Sequence, residues 1–212
     1  PRQHITFDGF VAIADTLRAE AKSAIATAQA AGITVRMITG DHFETAYHIG
    51  RELGLVHHRS EVFDSRQMSM MSDDDLAERL KTIRVCARVL PEYKHRILEI
   101  LKQRDITAMT GDGVNDIPAL TNAHVGVAMG SGAQIAKDAG DIILLNNNFQ
   151  SIVSAIHEGR TVYANIKRMV TYLLSTNLGE VLVSLGSLIV GLPLPLTPVQ
   201  ILWINIVTDS AM

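Results

Sequence analysis

The residue types best suited to chemistry lie in one run, Thr110-Gly111-Asp112-Gly113-Val114-Asn115-Asp116. The run follows an apolar segment at 106–109, which places its polar groups at the carboxyl end of a predicted strand. In an open α/β sheet ligands bind at this end of the strands, and glycines let the backbone approach a ligand closely. Asp112 and Asp116 can converge on a hard cation such as Mg²⁺, which takes carboxylates together with phosphate oxygens. The same residues are also common in turns, and the run alone leaves that interpretation open.

Two further polar clusters are placed where they could join this loop. Thr39-Gly40-Asp41 follows the predicted strand 35–38, and Lys94 lies in the first turn of a helix that begins near Pro91. A hydroxyl and an ammonium group that hold phosphate oxygens, beside carboxylates that hold Mg²⁺, are suited to phosphoryl transfer. A nucleophile on a further strand is the part of such a site that this set lacks.

The elements that would position these residues alternate along the chain. Strands are predicted at 10–14, 35–38, 83–87, 106–109, 125–129 and 142–145, with helices between them. The Met-rich segment 60–71 is expected to be irregular. Strands that alternate with helices predict an α/β fold, with a doubly wound, Rossmann-like parallel sheet.

Composition narrows the function classes. The formal net charge is −3, and no basic, aromatic-interleaved stripe indicates a nucleic-acid partner. Cys86 is the single cysteine, so no disulfide can form within the chain, and its apolar neighbours predict a buried thiol. The charges are uneven, because Glu180 is the only acidic or basic residue between positions 169 and 208.

That apolar region predicts membrane helices. Residues 169–192 are numerous enough to span a bilayer, which takes roughly 20 residues. The Pro-rich segment 193–198 predicts a turn, and 199–212 begins a second apolar helix. Lys167 and Arg168 precede the first span, which places its amino end in the cytoplasm. A buried hairpin in a soluble core is the alternative interpretation.

Polar residues recur at helical spacing within this region. Asn177 and Glu180 are three residues apart, and Asn205, Thr208 and Asp209 share one face of the next helix. A charge at the bilayer centre costs about 2.5–3.5 kcal/mol, so Glu180 requires an interior partner or an ion. Five oxygen-bearing side chains approach the 6–8 oxygen ligands that Ca²⁺ takes. Helix packing through interhelical hydrogen bonds is the alternative.

Three of these motifs together resemble a known family. Thr39-Gly40-Asp41, Ala87-Arg88-Val89-Leu90-Pro91-Glu92-Tyr93-Lys94 and the 110–116 loop look like the successive phosphorylation-domain motifs of P-type cation-transporting ATPases, in the haloacid-dehalogenase-like superfamily. The resemblance runs from Phe7 to Met212. Asn177-Leu178-Gly179-Glu180 and Asn205-Ile206-Val207-Thr208-Asp209 resemble the fifth and sixth membrane helices of sarcoplasmic-reticulum-type calcium pumps.

The resemblance implies roles for individual residues. Thr39 and Lys94 would contact the phosphoryl group, and Asp112 would bind the Mg²⁺ cofactor with support from Asp116. ATP would be the substrate, and nucleotide or phosphate would be touched by four further residues: Gly40, Asp41, Arg88 and Asn115. The transported cation, most consistent with Ca²⁺ and with Na⁺ or Mn²⁺ as alternatives, would meet the membrane set: Asn177, Glu180, Asn205, Thr208 and Asp209.

The resemblance also implies an organisation. Residues 1–150 would be the C-terminal part of a cytoplasmic phosphorylation domain, 151–168 a stalk helix, 169–192 a transmembrane helix, 193–198 an extracytoplasmic turn and 199–212 the start of the next span. The expected location is the plasma membrane of a prokaryote. The expected partners are the lipid bilayer, nucleotide-binding and actuator domains, and further transmembrane helices.

One departure from the family pattern limits these implications. The Asp-Lys-Thr-Gly-Thr motif, whose aspartate is phosphorylated in the family, is absent from this sequence, as is the Thr-Gly-Glu loop. The isolated chain is therefore expected to be inactive and to bind Mg²⁺ without chemistry. A soluble phosphatase of the same superfamily would account for the polar clusters, but it leaves the apolar helices unexplained.

Overall fold

The computed structural model describes residues 8–9 and 16–210, with side chains up to residue 207. The strand expected at 10–14 lies outside the described residues. The chain divides into two compact units, residues 1–153 and 154–212.

The first unit alternates helices and parallel strands. In the described residues its strands form two three-stranded sheets, in the orders β1-β3-β2 and β4-β5-β6. The predicted parallel α/β class is confirmed. The elements in chain order are α1 Ala19–Ala30, β1 Met37–Ile38, α2 Phe43–Glu52, β2 Val62–Asp64, α3 Asp73–Thr82, β3 Val85–Ala87, α4 Pro91–Lys102, β4 Ala108–Gly111, α5 Ile117–Asn122, β5 Val125–Met129, α6 Gln134–Ala139 and β6 Ile142–Leu144.

The helix that carries Lys94 illustrates how local sequence sets these bounds. Pro91 begins α4, where its missing N–H has no intrahelical partner to lose. One stripe of α4, formed by Ile97, Leu98 and Ile100, is buried in the core. With that stripe facing inward, Lys94 in the first turn lies at the carboxyl end of the strands.

Strand β3 lies at the centre of the first sheet and of the core. Val85, Cys86 and Ala87 are all at most 1% exposed, and apolar side chains pack against both faces of the strand. Burial raises the pKa of the Cys86 thiol to about 12, so the thiol is protonated at neutral pH. Cys86 is therefore a small core residue, as its apolar neighbours indicate.

The expectation of an irregular segment at 60–71 is wrong. The segment contains β2, whose three residues are all buried, and a 3₁₀ helix at Ser65–Met70. A three-residue strand is too short to show a period of two, and its pairing with β3 is a long-range contact. Asp64 ends the strand, and its side chain accepts a hydrogen bond from the Arg66 amide at 3.1 Å.

Helix α7, Phe149–Val190, begins in the first unit and makes up most of the second. Among the described residues it is the one helix long and apolar enough to cross a membrane. Its serine and threonine hydroxyls hydrogen-bond to carbonyls of the preceding turn, as from Thr171 to Lys167 (2.8 Å) and Ser175 to Thr171 (2.7 Å). The division into a stalk at 151–168 and a span at 169–192 stays a prediction.

The turn after α7 is closed by its own backbone. Gly191 has a φ of +75°, and Leu192 N–H donates to the Ser187 carbonyl at 2.9 Å, a pattern that ends helices with a left-handed glycine. Thr197 and Gln200 then cap helix α8, Pro198–Ser210, since each side chain accepts a hydrogen bond from the other's amide.

Candidate functional site

The carboxylate of Asp116 is the anchor of the loop after β4. Asp116 is 8% exposed, and its Oδ1 accepts a 2.7 Å hydrogen bond from Lys94 Nζ. Its Oδ2 faces the amides of Asp112 and Gly113, at 3.3 and 3.4 Å. One buried carboxylate therefore ties the helix after β3 to the loop after β4.

Two glycines allow this close packing. A Cβ added at Gly111 would lie 2.5 Å from Asp116 Cβ, so any larger residue would displace the anchor. A Cβ at Gly132 would lie 2.6 Å from the Asp112 carbonyl, which also accepts a 2.9 Å hydrogen bond from the Ala133 amide. The backbone at Asp112 is thus held from two sides.

The side chain of Asp112 is left free by these contacts. Asp112 is exposed, and within the described part of the chain its carboxylate makes no hydrogen bond or ion pair. Asn115 beside it is exposed as well. The expected convergence of both carboxylates on one cation is not what the geometry gives, because Asp116 is occupied by Lys94.

A single free carboxylate fits a Mg²⁺ ion whose other ligands are substrate phosphates and water. Mg²⁺ is commonly held by one or two carboxylates together with substrate phosphates and water. Across the described residues there is no cluster of three His, Cys, Asp or Glu side chains that could enclose a metal on its own. Asp112 would therefore be the ligand that this chain contributes.

The loop after β1 is held by its own side chains. Thr39 Oγ1 donates to Asp41 Oδ2 at 2.7 Å and accepts from the Asp41 amide at 3.1 Å. The backbone of Thr39 is bound to β3 and to the loop after it. Thr39 N–H donates to the Cys86 carbonyl, and Val89 N–H donates to the Thr39 carbonyl, each at 2.9 Å. Gly40 is exposed at the tip of this loop.

Arg88, at the end of β3, has a left-handed backbone with a φ of +56°. In its backbone, the amide donates to the Asp41 carbonyl at 2.8 Å and the carbonyl accepts a hydrogen bond from the Ser65 hydroxyl. In its side chain, Nη2 lies 2.6 Å from His42 Nδ1. Asp64 Oδ2 is 3.7 Å from Arg88 Nε. His42, Asp64 and Ser65 were not predictable from local sequence, because they reach Arg88 only through contacts across the sheet.

The predicted residues thus form two clusters in the first unit. Thr39, Asp41 and Arg88 are joined by backbone and side-chain hydrogen bonds, and Lys94, Asp112 and Asp116 form the second group. No hydrogen bond or ion pair between the two groups is found in the described residues. They are connected through the chain, since Arg88 follows β3 and Lys94 lies in the first turn of α4, the next helix.

Asp64 makes the stability of this region dependent on pH. Hydrogen bonds from the Arg66 guanidinium at 2.9 and 2.6 Å hold the pKa of Asp64 below its ordinary value of 3.8, against the opposing effect of burial. A carboxylate with a depressed folded-state pKa stabilises the fold above its unfolded pKa, and that contribution is lost as the pH falls through the folded value.

We therefore expect Asp64→Asn to lower the free energy of unfolding by about 1.5–3 kcal/mol at pH 7, the range for hydrogen bonds to a charged group. The difference from wild type should shrink as the pH falls below 3.8. Urea unfolding between pH 3 and 8 measures it, with the exposed Asp74→Asn as the control. A difference that stays constant down to pH 3 would contradict the role of the Asp64 charge.

The polar residues of the second unit differ in burial. Glu180 is half-buried, and its Oε1 is buried without a hydrogen-bond partner in the described structure, whereas Asn177 is exposed. Asn205 on α8 is half-buried and has an interaction partner. The side chains of Thr208 and Asp209 lie outside the description.

Comparison with known proteins agrees with this architecture. Residues 3–124 match the model of a haloacid dehalogenase-like hydrolase family, and residues 95–156 match a second model of that description. The chain is 43% identical over 210 residues to "Calcium-transporting ATPase 1" of Bacillus cereus, covering 98% of this chain and 24% of that protein. It is 44% identical over 208 residues to "Calcium-transporting ATPase" of Bacillus subtilis, covering 97% and 23%.

Solved structures give the same result. A crystal structure of a zinc-transporting PIB-type ATPase in the E2.Pi state has a TM-score of 0.66 and 30% sequence identity, over 93% of this chain and 26% of that one. The chain spans about a quarter of the length of these relatives. It belongs to the haloacid dehalogenase-like hydrolase family, and its resemblance to P-type cation-transporting ATPases is confirmed over nearly its whole length.

Proposed function

We propose that the chain is part of an ATP-driven cation pump that works through an aspartyl-phosphate intermediate. The observation that carries this is the Lys94–Asp116 pair, which fixes the 110–116 loop and leaves Asp112 free at the carboxyl end of β4. The phosphorylated aspartate would lie on a segment other than these 212 residues, because the motif that contains it is absent here.

Three residues of the first unit would each have a separate role in phosphoryl transfer. Lys94 holds its ammonium group beside Asp116 and places positive charge where phosphate oxygens would bind. The Thr39 hydroxyl would contact the phosphoryl group once its hydrogen bond to Asp41 is exchanged for one to phosphate. When bound, Mg²⁺ at Asp112 would supply charge neutralisation on the phosphoryl oxygens.

Nucleotide contacts would come from the loops around these residues. Gly40 and Asp41 are exposed at the end of β1, and Arg88 reaches the same loop through Asp41 and His42. Asn115 is exposed beside Asp112. A guanidinium and backbone amides are donors suited to phosphate or ribose oxygens, which supports the assignment of these residues to ATP.

The second unit supports a location in a membrane. None of the most apolar 18-residue window of α7 is buried, and Leu174, Leu188 and Ile189 are 65%, 68% and 84% exposed. An apolar surface of this kind is solvated by lipid rather than by water, which disfavours both a soluble phosphatase and a core hairpin. By the positive-inside bias, Lys167 and Arg168 support a cytoplasmic amino end for the span. We assign the protein on this basis to a membrane, with the plasma membrane of a prokaryote as the proposed location.

We assign the site in this unit to a hard cation, with Ca²⁺ as the cargo. The buried, unpartnered Oε1 of Glu180 is an oxygen donor that an ion would satisfy. The polar side chains of residues 169–212 are oxygen donors, with neither Cys nor His among them, which supports a hard cation as the ion that they would meet. Asn177, Asn205, Thr208 and Asp209 would complete the set, and Na⁺ or Mn²⁺ are the alternative cargoes.

Replacing Glu180 by Gln in the intact pump is expected to lower the apparent affinity for Ca²⁺ at least about tenfold, because the neutral amide removes the negative charge that attracts the cation. A tenfold loss corresponds to about 1.4 kcal/mol of binding free energy. The measurement is the Ca²⁺ dependence of ATP hydrolysis, repeated with Na⁺ and Mn²⁺. Glu158→Gln is the matched control, since Glu158 is exposed on the same helix before the span.

Unchanged Ca²⁺ affinity in Glu180→Gln would remove Glu180 from the ligand set. The pump itself is tested by incubation with labelled ATP. The intact protein should form an acid-stable, cation-dependent phosphoenzyme, and the isolated 212 residues should form none. A labelled isolated chain, or an unlabelled intact protein, would refute the assigned reaction.

A further inference from the structure

Arg88 is held in an unfavourable backbone conformation by residues that follow the two strands beside β3. It is one of two non-glycine residues with positive φ in the described part of the chain, and the other, Asn147, is of a type that tolerates this conformation. A left-handed arginine persists only where its surroundings impose it. The contacts of Arg88 therefore identify what imposes it.

Those contacts come from the ends of β1 and β2. The Ser65 hydroxyl donates to the Arg88 carbonyl, and Ser65 is 1% exposed, so water does not compete for that bond. On the other side, the Arg88 amide donates to the Asp41 carbonyl at 2.8 Å. The carboxylate of Asp64, next to Ser65, lies 3.7 Å from Arg88 Nε.

The conformation has a consequence for the loop after β1. With Arg88 left-handed, the next amide, that of Val89, points at the Thr39 carbonyl and donates to it at 2.9 Å. A return of Arg88 to negative φ would turn this stretch of backbone and break the bonds to Thr39 and Asp41. The geometry of the Thr39-Gly40-Asp41 loop thus depends on the Ser65 hydroxyl, which follows β2 and is separated from β1 by β3.

We propose, on the basis of the function assigned above, that Ser65 is a positioning residue for nucleotide binding, with Asp64 as its electrostatic partner. Ser65 holds the left-handed turn at Arg88, and the turn holds both the Arg88 side chain and the Thr39–Asp41 loop. Neither Ser65 nor Asp64 contacts the nucleotide. Their effect on binding passes through the Arg88 backbone.

The test uses Ser65→Ala in the intact pump, with two readouts. Loss of one buried hydrogen bond should raise the apparent KM for ATP about threefold to tenfold, with kcat within about twofold of wild type. Amide hydrogen exchange at Arg88 and Val89 should accelerate by a similar factor. Ser69→Ala is the matched control, because Ser69 lies in the same 3₁₀ helix with an exposed hydroxyl, and it should change neither value.

A double-mutant cycle separates positioning from general loss of structure. Glycine adopts positive φ without strain, so in an Arg88→Gly background Ser65→Ala should change KM by less than about twofold. An equal effect in both backgrounds would overturn the inference, as would an unchanged KM or unchanged exchange in Ser65→Ala. Ser65→Cys, which keeps the size and a weaker donor, replaces Ser65→Ala if that variant does not fold.

Failure of the assigned function would be visible separately. If the wild-type pump hydrolyses no ATP, that function is refuted, while hydrogen exchange at Arg88 and Val89 still decides whether Ser65 holds the turn. Accelerated exchange without a change in KM in an active pump would show that the turn is structural only, which also overturns the inference.

Discussion

Replacing Asp112 by Asn in the intact pump is expected to lower ATP hydrolysis by about 100- to 1,000-fold. A bound metal contributes several kcal/mol of charge stabilisation in phosphoryl transfer, and each 1.36 kcal/mol corresponds to a tenfold change in rate. Asp112 is the free carboxylate of its loop, and its backbone is held by Asp116 and Ala133. The substitution therefore changes the ligand charge without disturbing the fold.

The measurement is the rate of hydrolysis as a function of Mg²⁺ concentration, together with the thermal unfolding midpoint. Asp112→Asn should require more Mg²⁺ for half-maximal activity and should unfold at the wild-type temperature. Asp74→Asn, an exposed acid at the start of α3, is the control and should match wild type in both. Full activity in Asp112→Asn at unchanged Mg²⁺ would exclude Asp112 as the metal ligand.

Replacing Lys94 by Met is expected to abolish ATP hydrolysis and to destabilise the first unit by about 2–4 kcal/mol. Removing one partner of a buried ion pair leaves the other charge uncompensated, which costs about 3–5 kcal/mol when burial is complete. Here the side chains of Lys94 and Asp116 are 18% and 11% exposed, so the expected cost is somewhat smaller. Native-state hydrogen exchange of β4 and β5 in the intact protein measures it.

A second lysine on the same helix provides the control. Lys102 pairs with Glu99 at 3.3 Å, with the glutamate 46% exposed, so Lys102→Met should cost less than about 1 kcal/mol. Adding Asp116→Asn to Lys94→Met should restore part of the lost stability, because it removes the unpaired charge, but it should not restore activity. A single Lys94→Met variant as stable as Lys102→Met would show that the pair does not support the loop.

Elements with strong local signals were predictable from the sequence. Strand Val125–Met129 has the predicted bounds, since its run of small apolar residues suffices to define it. Lys94 was placed correctly in the first turn of α4 because Pro91 marks the start of that helix.

Features that depend on contacts between distant residues were not predictable. The occupation of Asp116 by Lys94 joins residues 22 positions apart, and the Ser65–Arg88 hydrogen bond joins residues 23 apart. No local pattern marks an arginine as left-handed, because that conformation is set by the strands on both sides. Strand β2 was missed for the same reason, as its three residues acquire their structure only by pairing with β3.

The burial of Cys86 has a practical consequence for spectroscopy. The only thiol in these 212 residues is 1% exposed and, with its raised pKa, has almost no thiolate to react with maleimide or methanethiosulfonate reagents. Within these 212 residues, thiol reagents would therefore leave the native protein unlabelled. A fluorophore or spin label at a cysteine introduced on its surface would report from that position alone, with no need to remove a core residue first.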